Sequence, residues 1–331
     1  MRKVDFLFFS FLINLTFVIS QNQFNWSFFH PIKKEWKNYQ THGSIQEKLI
    51  QTGELPSPFF GLNENKFDWI EEHTWELISD TIFGDSILSK IIDIRLPSID
   101  TYTSIYWNDS LVLLADNAFR PFVIQVLMKP NSKNTVRAVF TPPILYHKAR
   151  YENESFHYPA PNDPHKIAIS NLTRKPQYQF GWDWTARMNT LGFLEPVSWE
   201  FQQPNKLEKF SIETNTINTK RSEILYKFLF NSIDQNIRIV SSLFGTIDLK
   251  SNDTLARWKN TIDNPQLWWP NGLGDSYLYH DTIRVYLKSG VLTESKVIQF
   301  GIRKSELVQD KDKWGTSYVL NINDKPVFCK G

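Results

Sequence analysis

The chain has 331 residues, 41% of them hydrophobic and 15% aromatic, with a formal net charge of +2. It is too long for one ordinary sandwich and apolar enough for true cores, so two domains and a further piece are expected. The balanced charge carries no strong electrostatic message, and no basic run is interleaved with aromatics, which argues against a nucleic-acid partner.

Arg2 and Lys3 precede the largely apolar run Phe6 to Ile19, and Val18 and Ser20 are small at the positions before a cut. This predicts a signal peptide over residues 1–20, removed after Ser20, and a lysosomal or secreted protein. The run is too short to cross a bilayer comfortably, and no other stretch approaches the ~18 apolar residues that a transmembrane helix needs. Asn-X-Ser/Thr acceptors at Asn25, Asn108, Asn153, Asn171 and Asn252 agree with passage through the secretory pathway. The single cysteine, Cys329, cannot form an internal disulfide. Stability is expected from packed cores, with that thiol buried in the intact protein.

In chain order, Ser44 to Thr52 places Ile45, Leu49 and Ile50 at helical spacing and stops at Gly53, predicting a short amphipathic helix with a glycine cap. Pro56 and Pro58 then break the chain, and Trp69 and Trp75 follow. The acidic cluster Glu71, Glu72 and Glu76 reads as a solvated face. From Ile87 to Val139 the chain often alternates with period two, with turns at Asn108-Asp109 and Asn131-Ser132, as expected of an antiparallel sandwich. Pro142, Pro143, Pro159, Pro161 and Pro164 punctuate what reads as a long connection.

That connection leads to the string FGWDW, in which Trp182 and Trp184 flank Asp183. An aromatic face can stack on the apolar side of a pyranose while a carboxylate accepts hydrogen bonds from its hydroxyls. The competing reading is a core corner in which Trp and Asp satisfy each other. A composition shift places a domain boundary near Pro204. Beyond it, the strand-like runs FSIETN, ILYKFLFN, IRIVSSLF and DTIRVYLKS are consistent with an immunoglobulin-like sandwich of about 90 to 100 residues. Inside that region, Asn264-Pro265 and Trp268-Trp269-Pro270-Asn271-Gly272 read as packed tryptophans followed by a tight turn.

Together these segments resemble the β-mannosidases of glycoside hydrolase family two. The resemblance rests on PSPFFGLNENKFDWIEEHTWEL, FGWDW, NPQLWWPNGLGDSYLY and a final stretch with Phe300, Gly301, Arg303, Asn323, Pro326, Phe328, Lys330 and Gly331. At Thr41-His42 the chain departs from the Val-Pro pair common in that family. The resemblance implies a mainly β chain, with a galactose-binding-like jelly roll over 21–204 and an immunoglobulin-like sandwich over 205–299. Residues 300–331 would be the hairpin leading into a catalytic (β/α)₈ barrel that is not in this sequence.

No catalytic residue is therefore expected in this chain, and no metal or cofactor. The family's acid/base is a glutamate that follows an asparagine; neither Asn63-Glu64 nor Asn153-Glu154 is assigned that role. The resemblance implies an exo-acting enzyme whose partner is a β-mannoside oligosaccharide, with Trp182, Asp183 and Trp184 forming one wall of the sugar pocket. A second reading is a non-catalytic, secreted carbohydrate-binding or scaffold protein. A β-galactosidase or β-glucuronidase relative is a third, from which FGWDW points away.

Overall fold

The computed structural model describes residues 22–84, 90–202, 205–217, 220–231, 233 and 235–330. The expected signal peptide with its cut after Ser20, and Pro204 and Gly331, lie outside them. The chain forms two compact units, one reaching Gln202 and one following it.

The first unit is an antiparallel jelly-roll sandwich. Its six-stranded sheet runs, in spatial order, Glu35–Gln40, Trp26–His30, Trp75–Ile82, Lys133–Thr141, Tyr102–Trp107 and Ser110–Ala115. A four-stranded sheet comprises Asn22–Gln23, Ser198–Phe201, Ile91–Leu96 and Phe122–Leu127. Period-two alternation decides the register: Phe122, Ile124 and Val126 lie inside, opposite Leu96, Ile94 and Ile92. On the larger sheet Ala138 and Phe140 pair with Leu77 and Trp75 in the same core. Trp75 is fully buried and its ring N–H donates to the Ile70 carbonyl at 2.9 Å, so Trp75→Ala should cost about 3–5 kcal/mol. The Asn108-Asp109 turn takes φ of 46° and 70°, the left-handed pair a two-residue hairpin requires, and joins Trp107 to Ser110.

The expected helix is present as α1, Ile45–Gln51. Ser44 caps it by accepting from the Glu47 N–H at 3.1 Å. At its other end the Gly53 N–H reaches the Ile50 carbonyl and the Glu54 N–H reaches that of Leu49, both at 2.9 Å, with Gly53 at φ 75°. This is a Schellman stop, for which glycine carries no Cβ penalty.

Two sequence readings need correction. The proline-punctuated connection contains a second helix, α2, Pro143–Asn153. Pro143 sits in its first turn, where a missing N–H leaves nothing unsatisfied, so proline starts this helix instead of breaking it. Glu71 is not on a solvated face; it is buried beneath the end of a 3₁₀ segment, Asn63–Glu72, and is held by ion pairing described below.

The second unit pairs a three-stranded sheet, Leu207–Ile217, Arg221–Phe230 and Leu255–Asp263, with a four-stranded sheet. The latter runs Gly245–Leu249, Ile237–Ser241, Tyr279–Leu287 and Leu292–Phe300. Ile224, Tyr226, Phe228, Ile239, Ile283 and Val285 make its core. Two-sheet antiparallel packing of this kind is the immunoglobulin-like sandwich expected from the strand runs. Gly245–Leu249 and Leu292–Phe300 were not legible as strands because they bury few side chains and lack a sustained apolar alternation; Leu255–Asp263 does alternate, with Ala256, Trp258 and Ile262 inward, but Asn260 interrupts its apolar face.

The chain ends in a small meander, Ser305–Val308, Val319–Ile322 and Lys325–Val327. The tryptophan motif ties it down: Trp268 N–H donates to Ile302 at 2.9 Å, and Asn323 Nδ2 to the Trp268 carbonyl at 2.9 Å. Arg303 lies 4.7 Å over the Trp268 ring and Lys325 4.9 Å over that of Trp269. A Cβ on Gly301 would come within 2.8 Å of Trp268. The motif is structural, as read. Cys329, expected to be buried in the intact protein, is exposed in this chain.

Candidate functional site

A cleft of about 900 Å³ lies wholly within the first unit. Four segments wall it: the 3₁₀ segment with Glu64, Asp68 and Glu71, α2 with Ile144 and Lys148, the stretch with Asn162 and His165, and the loop carrying Trp182, Asp183 and Arg187. The volume falls in the ~300–1,000 Å³ range of small-ligand sites, and both carboxylates and cations face it.

Buried ionic contacts fix the loop at its base. Lys175 and Asp100 are both fully buried and meet at 2.6 Å. Burial pushes the Lys175 ammonium down, while Asp100 pulls it back up. The Thr190 hydroxyl donates to Asp100 at 2.5 Å and the Thr190 N–H to Gln179 Oε1 at 3.1 Å, which draws the two ends of the loop together. From α1, Gln46 Nε2 donates to the Asn189 carbonyl at 2.6 Å and Gln46 Oε1 accepts from the Leu191 N–H at 3.2 Å.

A second set ties the loop to the 3₁₀ segment and to the stretch containing Asp163. Arg187 engages Glu71 through both terminal nitrogens, at 2.5 and 3.1 Å, and its Nε lies 3.5 Å from Asp163. Asn189 Nδ2 adds a bond to Glu71 at 3.1 Å. Burial works against the Arg187 charge, but its hydrogen bonds to Glu71 and the attraction of Glu71 and Asp163 outweigh it and raise the guanidinium. Asp163 in turn accepts from the Ile169 and Ser170 N–H groups at 2.9 and 3.2 Å. Sequence reading missed this network: Glu71 and Arg187 stand 116 positions apart, and nothing local pairs them.

Gly181 lets the loop lie against its neighbour. Its φ is 119°, and a Cβ there would meet the Asn162 carbonyl oxygen at 2.5 Å, so a larger residue would push the loop away. Above this base the tip is exposed. Trp182 and Asp183 line the cleft, whereas Trp184, 81% exposed, lines a neighbouring hollow of about 290 Å³. The Asp183 carboxylate makes no hydrogen bond or ion pair with any described residue. Of the two Asn-Glu pairs, Glu64 lines the cleft, while Glu154 is held by Arg150 at 2.7 Å on α2.

The acceptor asparagines differ in freedom. Asn25 and Asn252 are exposed. Asn153 and Asn171 donate their amides to the Ala149 and Tyr158 carbonyls. Asn108 is locked into its hairpin, donating to Asn134 Oδ1 at 3.2 Å and accepting from the Thr135 N–H at 3.0 Å. Among the described residues no cluster of three or more His, Cys, Asp or Glu side chains could hold a metal ion, and no helix is long and apolar enough to cross a membrane.

Residues 26–195 match the glycosyl hydrolase 2 galactose-binding domain-like family, and residues 197–303 match glycosyl hydrolases family 2. Over 340 residues the chain is 26% identical to a probable beta-mannosidase of Caenorhabditis elegans, covering 93% of this chain and 37% of that protein. Beta-mannosidase B of Aspergillus niger is 26% identical over 305 residues, which are 87% of this chain and 35% of the relative. The solved structure of the beta-D-mannosidase of Dictyoglomus thermophilum aligns with a TM-score of 0.78 at 25% identity, over 94% of this chain and 39% of that one. The exo-chitosanase CsxA of Amycolatopsis orientalis, at 14% identity and a TM-score of 0.58 over 92% of this chain and 36% of its own, shares the fold. The chain thus spans little more than a third of the length of these curated relatives. It belongs to glycosyl hydrolase family 2, and its two units are that family's N-terminal sugar-binding-like and immunoglobulin-like domains.

Proposed function

We propose that this chain is the N-terminal part of a β-mannosidase that removes terminal, non-reducing β-D-mannose from oligosaccharides and glycoproteins, and that it supplies one wall of the sugar pocket. The observation that carries this reading is a carboxylate, Asp183, without a partner among the described residues and lining a cleft beside Trp182. A core-corner aspartate would have its acceptor capacity taken up by backbone amides or side-chain donors. Here the capacity is open to sugar hydroxyls, with Trp182 offering a stacking face and Trp184 shaping the site. The relatives named as β-mannosidases support mannose as the sugar.

Retaining hydrolysis needs an acid and a nucleophile about 5 Å apart across the scissile bond. The resemblance assigns that pair to a barrel beyond this sequence, so the 331-residue chain alone is proposed to be inactive. Lysosomal or secreted placement follows from the apolar run near Met1 and the acceptor asparagines, and a mature N-terminus at Gln21 is its test. For the activity, the full-length protein should be offered β-1,4-mannobiose together with β-galactosides, β-glucuronides and β-glucosaminides. Release of mannose in preference to the other sugars is the expected result; preferential turnover of any of the others contradicts the reading.

A further inference from the structure

The two tryptophans of the loop do not serve one sugar ring. Their rings lie 5.8 Å apart at 77°, nearly perpendicular, so a pyranose stacked flat on one presents only its edge to the other. They also face different hollows. Trp182 lines the larger cleft, whereas Trp184 lines the smaller one together with Phe59. The two hollows share two lining residues, Glu64 and Thr185. Trp184 and Phe59 are 81% and 85% exposed, and neither belongs to the core of the unit.

We propose that the smaller hollow is an outer subsite, which takes the sugar on the reducing side of the terminal mannose and uses Trp184 and Phe59 as its apolar platform. The inference rests on the β-mannoside reading of the larger cleft and extends it to the leaving group. Glu64, on the shared wall, has no hydrogen-bonding or ionic partner among the described residues, so its carboxylate is open to hydroxyls of either ring. A chain with such a subsite favours a glycosidic aglycone over a small leaving group. Part of the binding to the second sugar is then expressed in kcat/KM.

The test uses the full-length protein and its Trp184→Ala, Phe59→Ala and Asp183→Asn variants, assayed on β-1,4-mannobiose and on β-mannosyl fluoride, whose leaving group is a single atom. Losing a pocket contact of this size should lower the ratio of kcat/KM, mannobiose over fluoride, by about tenfold for Trp184→Ala and somewhat less for Phe59→Ala. Asp183→Asn should lower both constants and leave the ratio near that of the parent. If Trp184→Ala leaves the ratio unchanged, whether both constants fall or neither does, the outer subsite is overturned while the mannoside reading stands. A fall in both constants together with a lower Tm would show instead that another part of the protein covers Trp184. A parent protein that turns over neither substrate overturns the subsite and the mannoside reading together.

Discussion

Each unit holds an aspartate and a tryptophan pair, and it uses them in opposite ways. In the sandwich unit Asp281 is buried and saturated: it accepts from Tyr226 at 2.9 Å, from the Ser241 hydroxyl at 2.5 Å, and from the Ser242 N–H and hydroxyl at 2.7 and 2.8 Å. Its tryptophans, Trp268 and Trp269, are covered by Arg303 and Lys325 and abutted by Gly301 and Gly274. In the jelly-roll unit Asp183 has no partner among the described residues, and Trp184 stands in solvent. Residue types do not separate a structural corner from a binding site. The number of partners already engaged does, because a buried carboxylate must be satisfied by its own fold whereas an exposed one can wait for a ligand.

The largest expected effect is at the base of the loop. Asp100→Ala or Lys175→Ala leaves an uncompensated charge in a fully buried site and should cost about 3–5 kcal/mol in denaturant unfolding. A loss under about 1 kcal/mol would mean that the tip is not anchored there. Next comes Asp281→Ala, which strands several buried donors and should cost about 2–4 kcal/mol without altering sugar recognition. Burial alone would raise the Asp281 carboxyl, but the bonds from Ser241, Ser242 and Tyr226 outweigh it and hold the group below its usual value of 3.8. Its contribution is therefore present above about pH 3.8 and is lost as pH falls through the depressed value.

A smaller effect separates the units by pH. His30 and His147, both in the jelly roll, are held below their ordinary 6.5 chiefly by burial; Glu54 opposes this at His30, and Arg150 adds to it at His147. The neutral forms are built in. His30 Nδ1 accepts from the Ile32 and Lys33 N–H groups at 3.3 and 3.2 Å, and His147 Nε2 faces the Tyr102 hydroxyl at 2.7 Å. The fold thus binds these protons more weakly than the unfolded chain does. Stability from both is complete above pH 6.5 and declines as pH falls below it. In the sandwich unit His280 is exposed. Amide exchange measured at pH 7 and pH 5 should show greater loss of protection in the jelly roll, and His30→Gln should reduce the difference. Glu54 acts in the same direction at lower pH: hydrogen bonds from Lys33 and Lys37 overcome its burial and hold it at about 2, so its contribution is lost from pH 4.5 downwards.

The smallest effect is a modification difference. In secreted protein, Asn25 and Asn252 should carry glycans and Asn108 should not, because its amide is committed within the hairpin. Peptide mass spectrometry after enzymatic deglycosylation would detect it; a substantially occupied Asn108 would show that modification precedes closure of that hairpin.

The architecture was legible where burial imposed a period. Phe122–Leu127 alternates because one of its faces enters the core. Exposed strands such as Leu292–Phe300 carry no such mark, and α2 was masked by prolines that initiate a helix. At the site, Trp182, Asp183 and Trp184 stood out as an unusual local string. Glu71, Asp163 and Arg187, which hold the cleft walls together, are brought together only by the fold. Local pattern can mark the tip of such a loop but not the distant charges that anchor it.

The most direct measurement is kcat/KM and Tm on one variant of the full-length protein, Asp183→Ala. A free carboxylate that accepts from sugar hydroxyls predicts a loss of roughly tenfold to a hundredfold in kcat/KM on a β-mannoside, from about 1.5–3 kcal/mol of charge-assisted hydrogen bonding. Stability should stay within about 0.5 kcal/mol of the parent, since no protein partner is left unsatisfied. A lowered Tm with near-normal kinetics, the behaviour expected of Asp281, would contradict the account and return Asp183 to the structural corners.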